Sequence, residues 1–197
     1  MTQTICVWES NADQLLDAEG KWNAKKVLFG EYNPGGKLPI SFPRSVGHIP
    51  AYYNHKPFDR RGYFNDEVTP LYPFGYGLSY SRFEISALQL STIKTSKDKI
   101  FKVTVDVKNT GNVAADEVVQ LYIRYMVSSV TLPIKELKGF SRVSLEAGSS
   151  KTIEFELTPD HFAFYSIDKS FVVEPGKFKI MVGNSAANLK EAVLEVE

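Results

Sequence analysis

"FKVTVDVKN", residues Phe101–Asn109, decides the fold. Phe101, Val103, Val105 and Val107 alternate with Lys102, Thr104, Asp106 and Lys108. A period of two sends the first set to a core and the second to water, as a half-buried β-strand requires. "NTGN" (Asn109–Asn112) follows and supplies a turn.

The same alternation recurs downstream. It runs through Val119, Leu121, Ile123 and Tyr125 in "VVQLYIRY", and through Ile153, Phe155 and Leu157 in "TIEFELT". Phe178, Ile180 and Val182 carry it in "KFKIMV", and Ala192, Leu194 and Val196 in "EAVLEV". "FEISALQL" before these and "KELKGFSRVSL" between them bring the count to seven strands. "EAGSS", "EPG" and "GNSAAN" are turn chemistry at spacings suited to hairpins and crossovers. Seven short strands in about a hundred residues predict an antiparallel β-sandwich of immunoglobulin or fibronectin type III kind. The Cys…Trp…Cys signature of antibody domains is missing, which favours the fibronectin-like form. The sandwich is expected over residues 83–197.

Upstream, residues 31–82 lose all periodicity. "NPGGKLP" and "SFPRSVGHIP" are dense in Pro and Gly, and the first reads as a tight turn rather than a phosphate loop, since GxxxxGK[ST] spacing is absent. The segment is rich in aromatics, unlike a disordered tether, and "PLYPFGYGLSYSRFE" (Pro70–Glu84) alone holds five. An ordered linker wrapping over a neighbour is expected. Residues 1–30 differ again: "TICVW" is strand-like, "SNADQLLDAEG" weakly helical, and "WNAKKVLFG" a helical turn or two closed by Gly30. Elements this small cannot bury their own faces, so they read as the trailing edge of a domain whose body lies outside this chain.

Composition narrows the function. The 197 residues are 43% apolar with formal net charge zero, which supports a core but not the cationic surface nucleic acid demands. No apolar run approaches a membrane span, and the first ten residues lack a basic n-region, so the expectation is a chain that stays in the cytoplasm as written. The lone Cys6 excludes an internal disulfide and reads as a small apolar strand residue. His48, His55 and His161 are scattered without metal-ligand spacing, and no Gly-x-Ser-x-Gly elbow occurs. Neither a metal nor a cofactor is expected.

Glycoside chemistry needs two carboxylates facing one another. Asp66–Glu67 and Asp116–Glu117 are adjacent pairs, whose side chains point apart in extended chain, so solvated loops are expected and no catalytic residue is assigned. "AYYNHKPFDRRGYFNDE" (Ala51–Glu67) is the other candidate. Tyr52, Tyr53, Tyr63 and Phe64 can stack on sugar rings, while His55, Lys56, Asp59, Arg60 and Arg61 can bond hydroxyls. The same residues can equally pack the segment onto an adjoining domain. Tyr52, Tyr53, His55, Lys56, Arg61, Tyr63 and Phe64 are therefore read as substrate-cleft or domain-interface contacts.

Four stretches together resemble the C-terminal part of glycoside hydrolase family 3, nearest to bacterial periplasmic-type β-glucosidases. They are "LFGEYNPGGKLPISFPRSVGHIPAYYNHKP", "PLYPFGYGLSYSRFE", "VVQLYIRYMVSSVTLPIKELKGFSRVSLEAGSSKTIEFELTP" and "VEPGKFKIMVG", and they stand in the family's order. The likeness begins near Val27; before it, Trp8, Glu19–Gly20 and Asn23–Ala24 match while the intervening residues depart from the family pattern. The resemblance implies a barrel and an α/β sandwich domain ahead of the linker and a fibronectin type III-like domain at the end. It implies a retaining mechanism whose Asp nucleophile and Glu acid/base belong to the earlier domains; no position here matches either motif. The expected role is a non-catalytic accessory module of a β-glucosidase, inactive alone, with a parent that is periplasmic or secreted. Its expected partners are the catalytic domains, a second copy through an exposed apolar patch around Tyr32, Phe42 and Tyr52, and a β-glucoside or glucan. The alternatives are a free-standing carbohydrate-binding or protein-interaction module, and a half that complements a separate catalytic chain.

Overall fold

The computed structural model describes residues 24–57 and 66–197. The strand, the first helix and Cys6 expected within residues 1–23 lie outside that range.

The fold is mainly β, two antiparallel sheets packed face to face. In the first sheet, β4 (Phe101–Asn109) is central. It pairs on one side with β1 (Phe83–Ile85) and β2 (Gln89–Leu90), and on the other with β7 (Ser150–Leu157). The second sheet holds, in spatial order, β3 (Lys94–Thr95), β11 (Leu189–Val196), β10 (Gly176–Gly183), β5 (Ala115–Tyr125) and β6 (Glu136–Leu145). Among the described residues only the β3–β11 pair is parallel. A two-stranded ribbon joins β8 (Phe164–Tyr165) to β9 (Phe171–Val172). The seven expected strands are all present. "FEISALQL" is divided into β1 and β2, and the three remaining pieces are two-residue strands.

Period two builds the core. Val103, Val105 and Val107 of β4 are buried in one cluster with Leu121 and Ile123 of β5, Phe178 and Ile180 of β10 and Leu194 of β11. Phe178 sits at the centre of an aromatic knot. It stacks on Tyr125 at 4.3 Å between centroids and meets Phe162 edge-on at 5.0 Å. On the outer face of β4, Lys102 reaches diagonally across to Glu154 on β7 at 2.7 Å.

The turn after β4 is held by Asn109, which is fully buried. Its amide donates to the Val113 and Leu145 carbonyls at 2.8 and 3.0 Å, and its Oδ1 accepts from the Gly111 N–H at 2.9 Å and from Ser81 Oγ. A buried amide that uses both donors and its acceptor leaves no polar atom unpaired. It also ties the end of the linker to the sandwich, and Ser81 lies so close that a Cβ on Gly111 would sit 2.1 Å from its Oγ.

The described part of the linker lies along the outer face of the second sheet. "NPGGKLP" is not the expected tight turn but an extended strip. Leu38 exchanges backbone hydrogen bonds with Tyr76 and Gly75 at 2.8 Å each, and Phe42 bridges to Tyr72. Two strips of chain can approach this closely only with glycine at the contact: a Cβ on Gly77 would meet the Gly36 carbonyl oxygen at 2.4 Å. Upstream, a short helix (Ala24–Leu28) ends at Gly30, whose φ of 78° is the left-handed conformation expected there.

Candidate functional site

The linker makes a second, smaller core with the sandwich. Tyr122, Met181 and Ala186 are buried on the sheet's outer face, and Tyr53, Phe74 and Leu137 pack on them. Tyr53 stacks on Phe74 at 4.3 Å and meets Tyr122 edge-on at 5.7 Å. Beside them Gln120 is buried. Its amide donates to the Gly75 and Asn184 carbonyls, both at 3.2 Å, and its Oε1 accepts from the Tyr122 hydroxyl. Burial pushes the Tyr122 hydroxyl well above the ordinary phenol range, with the neighbouring Tyr53 adding to the shift.

The carboxylate pairs correct the sequence reading in part. Asp116 and Glu117 are not in a solvated loop; both lie on β5. Glu117 is buried and its Oε1 is 2.6 Å from Lys37 Nζ of "NPGGKLP". Asp116, on the opposite face, is gripped by Arg142 of β6 through Nε at 3.0 Å and Nη2 at 2.5 Å. Asp66 and Glu67 do sit in a loop. Glu67 bonds Arg44 Nη2 at 2.8 Å, and Asp66 Oδ2 is 3.4 Å from Nε2 of the buried His48.

Where linker and sandwich diverge, a cleft of about 600 Å³ opens. One wall comes from residues between 41 and 55, a second from 68–73, and the floor from Ile134, Lys135, Ala186 and Ala187. The chain is stitched across it by the Ile134 N–H, which donates to the His55 carbonyl at 2.9 Å. Of the residues named from sequence, Tyr52, Tyr53 and His55 line this cleft. Tyr52 is half exposed and edge-on to His55 at 6.2 Å, whereas Tyr53 is mostly claimed by Phe74 and Tyr122. Lys56 is exposed and is not part of the cleft wall. Arg61, Tyr63 and Phe64, with Asp59 and Arg60, lie outside the described residues.

Sequence reasoning weighs His48 only as a metal ligand and passes over Lys135. His48 closes a single 3-10 turn (Val46–His48), with Nδ1 2.8 Å from Ser45 Oγ. Lys135 follows Ile134 into the cleft and donates to the Ala186 carbonyl at 2.7 Å. Burial lowers its pKa, against a smaller opposing pull from Glu191, and Arg124 lowers it further. Among the described residues no cluster of His, Cys, Asp and Glu could hold a metal ion.

The expected apolar patch is placed differently. Tyr32 is half buried on Val27, and Phe42 is half buried edge-on to Tyr72. Over residues 28–52 the large apolar side chains exposed are instead Leu28, Phe29, Ile40, Val46 and Ile49, with Tyr52.

A sandwich clasped by an aromatic linker is of fibronectin type III-like class. Residues 117–186 match the fibronectin type III-like domain model, and residues 12–80 match the glycosyl hydrolase family 3 C-terminal domain model. The chain belongs to glycoside hydrolase family 3 and corresponds to the C-terminal part of that family's proteins. It is 42% identical over its full length to a putative β-xylosidase of Formosa agariphila, covering 27% of that protein. It is 38% identical over 95% of its length to a periplasmic β-glucosidase of Salmonella typhimurium, again covering 27%. The solved structure of a β-glucosidase from Erythrobacter marinus superposes with a TM-score of 0.85 at 43% identity, over 88% of this chain and 23% of that one. The chain thus spans about a quarter of the length of the relatives it matches.

Proposed function

We propose that this chain is the non-catalytic C-terminal module of a β-glucosidase-type family 3 enzyme. In this reading residues 1–30 are the trailing edge of an α/β sandwich domain, 31–82 the linker and 83–197 the bracing sandwich. The parent reaction is retaining hydrolysis of terminal β-D-glucosyl residues, with nucleophile and acid/base supplied by the preceding domains. One observation carries the reading: every carboxylate of the two candidate pairs is already engaged. Glu117 is locked to Lys37, Asp116 to Arg142, Glu67 to Arg44, and Asp66 faces His48. Retaining hydrolysis needs two carboxyl groups about 5–5.5 Å apart across a sugar site. Adjacent residues on one strand point to opposite faces and cannot supply that arrangement.

The partner in this reading is the preceding part of a family 3 chain, docked on the exposed Leu28, Phe29, Ile40, Val46 and Ile49. Without it, the same apolar surface is available to a second copy. In this reading the parent works outside the cytoplasm, as does the periplasmic β-glucosidase of Salmonella typhimurium to which the chain is similar.

The test is hydrolysis of 4-nitrophenyl β-D-glucoside by the purified 197-residue chain, alone and mixed with separately produced barrel and α/β domains of a family 3 enzyme. The chain alone is expected to give no turnover above a mock purification, and to raise the activity or stability of the domains. Turnover that co-purifies with the chain, and falls on replacement of Asp66 or Glu67, would overturn the reading.

A further inference from the structure

We propose that the cleft between linker and sandwich is a binding site for a small aromatic carboxylate, its ring held by the apolar walls and its anionic group by Lys135. The inference is independent of whether the chain is catalytic, and its test reads binding only.

Shape comes first. A concave space of about 600 Å³ is the size that buries a small molecule. Its walls are mainly apolar, with Pro43, Pro50, Pro70 and Pro73 joined by Val68 and Ile134. Tyr52 stands in the wall half exposed. Prolines and an open aromatic ring offer flat apolar surface to another ring.

Charge comes second. Lys135 is a half-buried ammonium on the floor of that apolar space. It has three donors, and one is used on the Ala186 carbonyl. Among the described residues no carboxylate forms an ion pair with it; Glu191 acts from beyond contact and is itself paired with Lys179 at 2.7 Å. Besides Lys135 and the two tyrosines, the ionisable groups in the wall are His48 and His55, and among the described residues no Asp or Glu lines it. On the linker side, Asp66 is turned to His48. A partly desolvated cation among apolar groups is costly until an anion completes it. The lowered pKa of Lys135 has the same cause, and a bound carboxylate would remove it.

The wall chemistry also separates ring classes. A pyranose presents hydroxyls around its edge and needs several acceptors and donors in one plane. Among the described residues no Asn, Gln, Asp or Glu lines the cleft, and Ser41 and Thr69 supply the hydroxyls besides the two tyrosines. A flat ring with a single anionic group fits this inventory; a neutral sugar does not.

The experiment is a titration of the full chain with benzoate, benzyl alcohol, glucuronate and glucose, followed by amide chemical shifts. Benzoate is expected to shift Tyr53, His55, Ile134 and Ala187 in a saturable manner and to leave β4 and β7 unmoved. A charge-assisted hydrogen bond adds about 1.5–3 kcal/mol, so benzoate should bind on the order of 10- to 100-fold tighter than benzyl alcohol. Lys135→Met should erase that ratio while benzyl alcohol binding persists, and Lys135→Arg should restore most of it. Unchanged β4 and β7 shifts in both variants report an intact sandwich. Equal affinities for benzoate and benzyl alcohol would overturn the proposal. So would glucuronate binding as tightly as benzoate, or no saturable shift at the cleft.

Discussion

The two apolar cores of this molecule are built on opposite faces of the same sheet and by different rules. Between the sheets, Val119, Leu121 and Ile123 join Val103, Val105 and Phe178 in one apolar cluster. On the outer face, Tyr122, Met181 and Phe74 share their space with Gln120, and the Lys37–Glu117 pair fastens the linker to the same strand. The inner core is held by area. Each large side chain buried there contributes about 1.5–3 kcal/mol, in proportion to the area it removes from water and without a directional requirement. The seam is held by position. Its hydrogen bonds are worth little net, but a linker that slips along the face without lifting off leaves Gln120, Lys37 and Glu117 buried and unpaired. The inner core therefore sets whether the chain folds, and the seam sets where the linker lies on the fold.

The largest expected effect falls on the inner core. Phe178→Ala removes the ring that Tyr125, Phe162 and the two sheets share, and should cost about 3–5 kcal/mol, seen as a lower denaturant midpoint for the whole sandwich. The seam gives the next effect and a different signature. Glu117→Gln leaves Lys37 as an uncompensated, largely buried cation and should cost about 3 kcal/mol. Pairing it with Lys37→Met should recover most of that loss, since the double variant buries no charge. If Glu117→Gln alone is neutral, the pair is solvated and the seam is held by packing, as the inner core is.

How much of this is legible in the sequence follows from the same contrast. The strict alternation of β4 names its buried residues correctly because only one of its faces is covered. In β5 the alternation names Val119, Leu121, Ile123 and Tyr125 and is silent on Gln120 and Tyr122, which are equally buried. Period two tells which face is apolar; it does not tell whether the polar face is covered by another segment. Lys37 and Glu117 lie far apart in the chain, and neither position marks the other. "NPGGKLP" suggests a turn because glycine serves turns, whereas here it serves close approach of extended chains. The cleft is half legible. Tyr52, Tyr53 and His55 stand together in one stretch and announce themselves, while Ile134, Lys135 and Ala186 reach it from loops of the sandwich.

Two glycines sharpen the comparison at smaller cost. Gly75 and Gly148 both have φ of 76°. A Cβ on Gly148 meets nothing within 4 Å, whereas on Gly75 it would lie 2.1 Å from Gln120 Oε1. Gly148→Ala should therefore cost only the backbone strain, about 1 kcal/mol. Gly75→Ala adds displacement of the Gln120 amide and should cost about 2 kcal/mol or more. Hydrogen exchange separates them: Gly75→Ala should expose the amides of Leu38 and Phe42 while those of β4 stay protected. Equal costs and equal protection would mean that the linker yields freely around Gln120.

The smallest effect at neutral pH belongs to Tyr122→Phe, and it becomes informative on the alkaline side. The variant leaves Gln120 Oε1 without its hydroxyl donor, a loss of about 1 kcal/mol at pH 7. Burial raises the Tyr122 pKa above the value near 10 that the unfolded phenol has. Above that pH the unfolded chain releases this proton while the folded chain keeps it, so the unfolded state binds fewer protons and stability falls as pH rises. The contribution is fully present below pH about 10 and is lost on approach to the folded pKa. The Tyr122→Phe variant has no phenolic proton to lose at this position, so its stability curve lacks this part of the alkaline slope. The two curves should run parallel at neutral pH, converge above pH about 10, and cross if the alkaline loss exceeds the missing hydrogen bond. Curves that stay parallel to pH about 11 would place the Tyr122 hydroxyl in contact with solvent, and the seam would then be open where the inner core is closed.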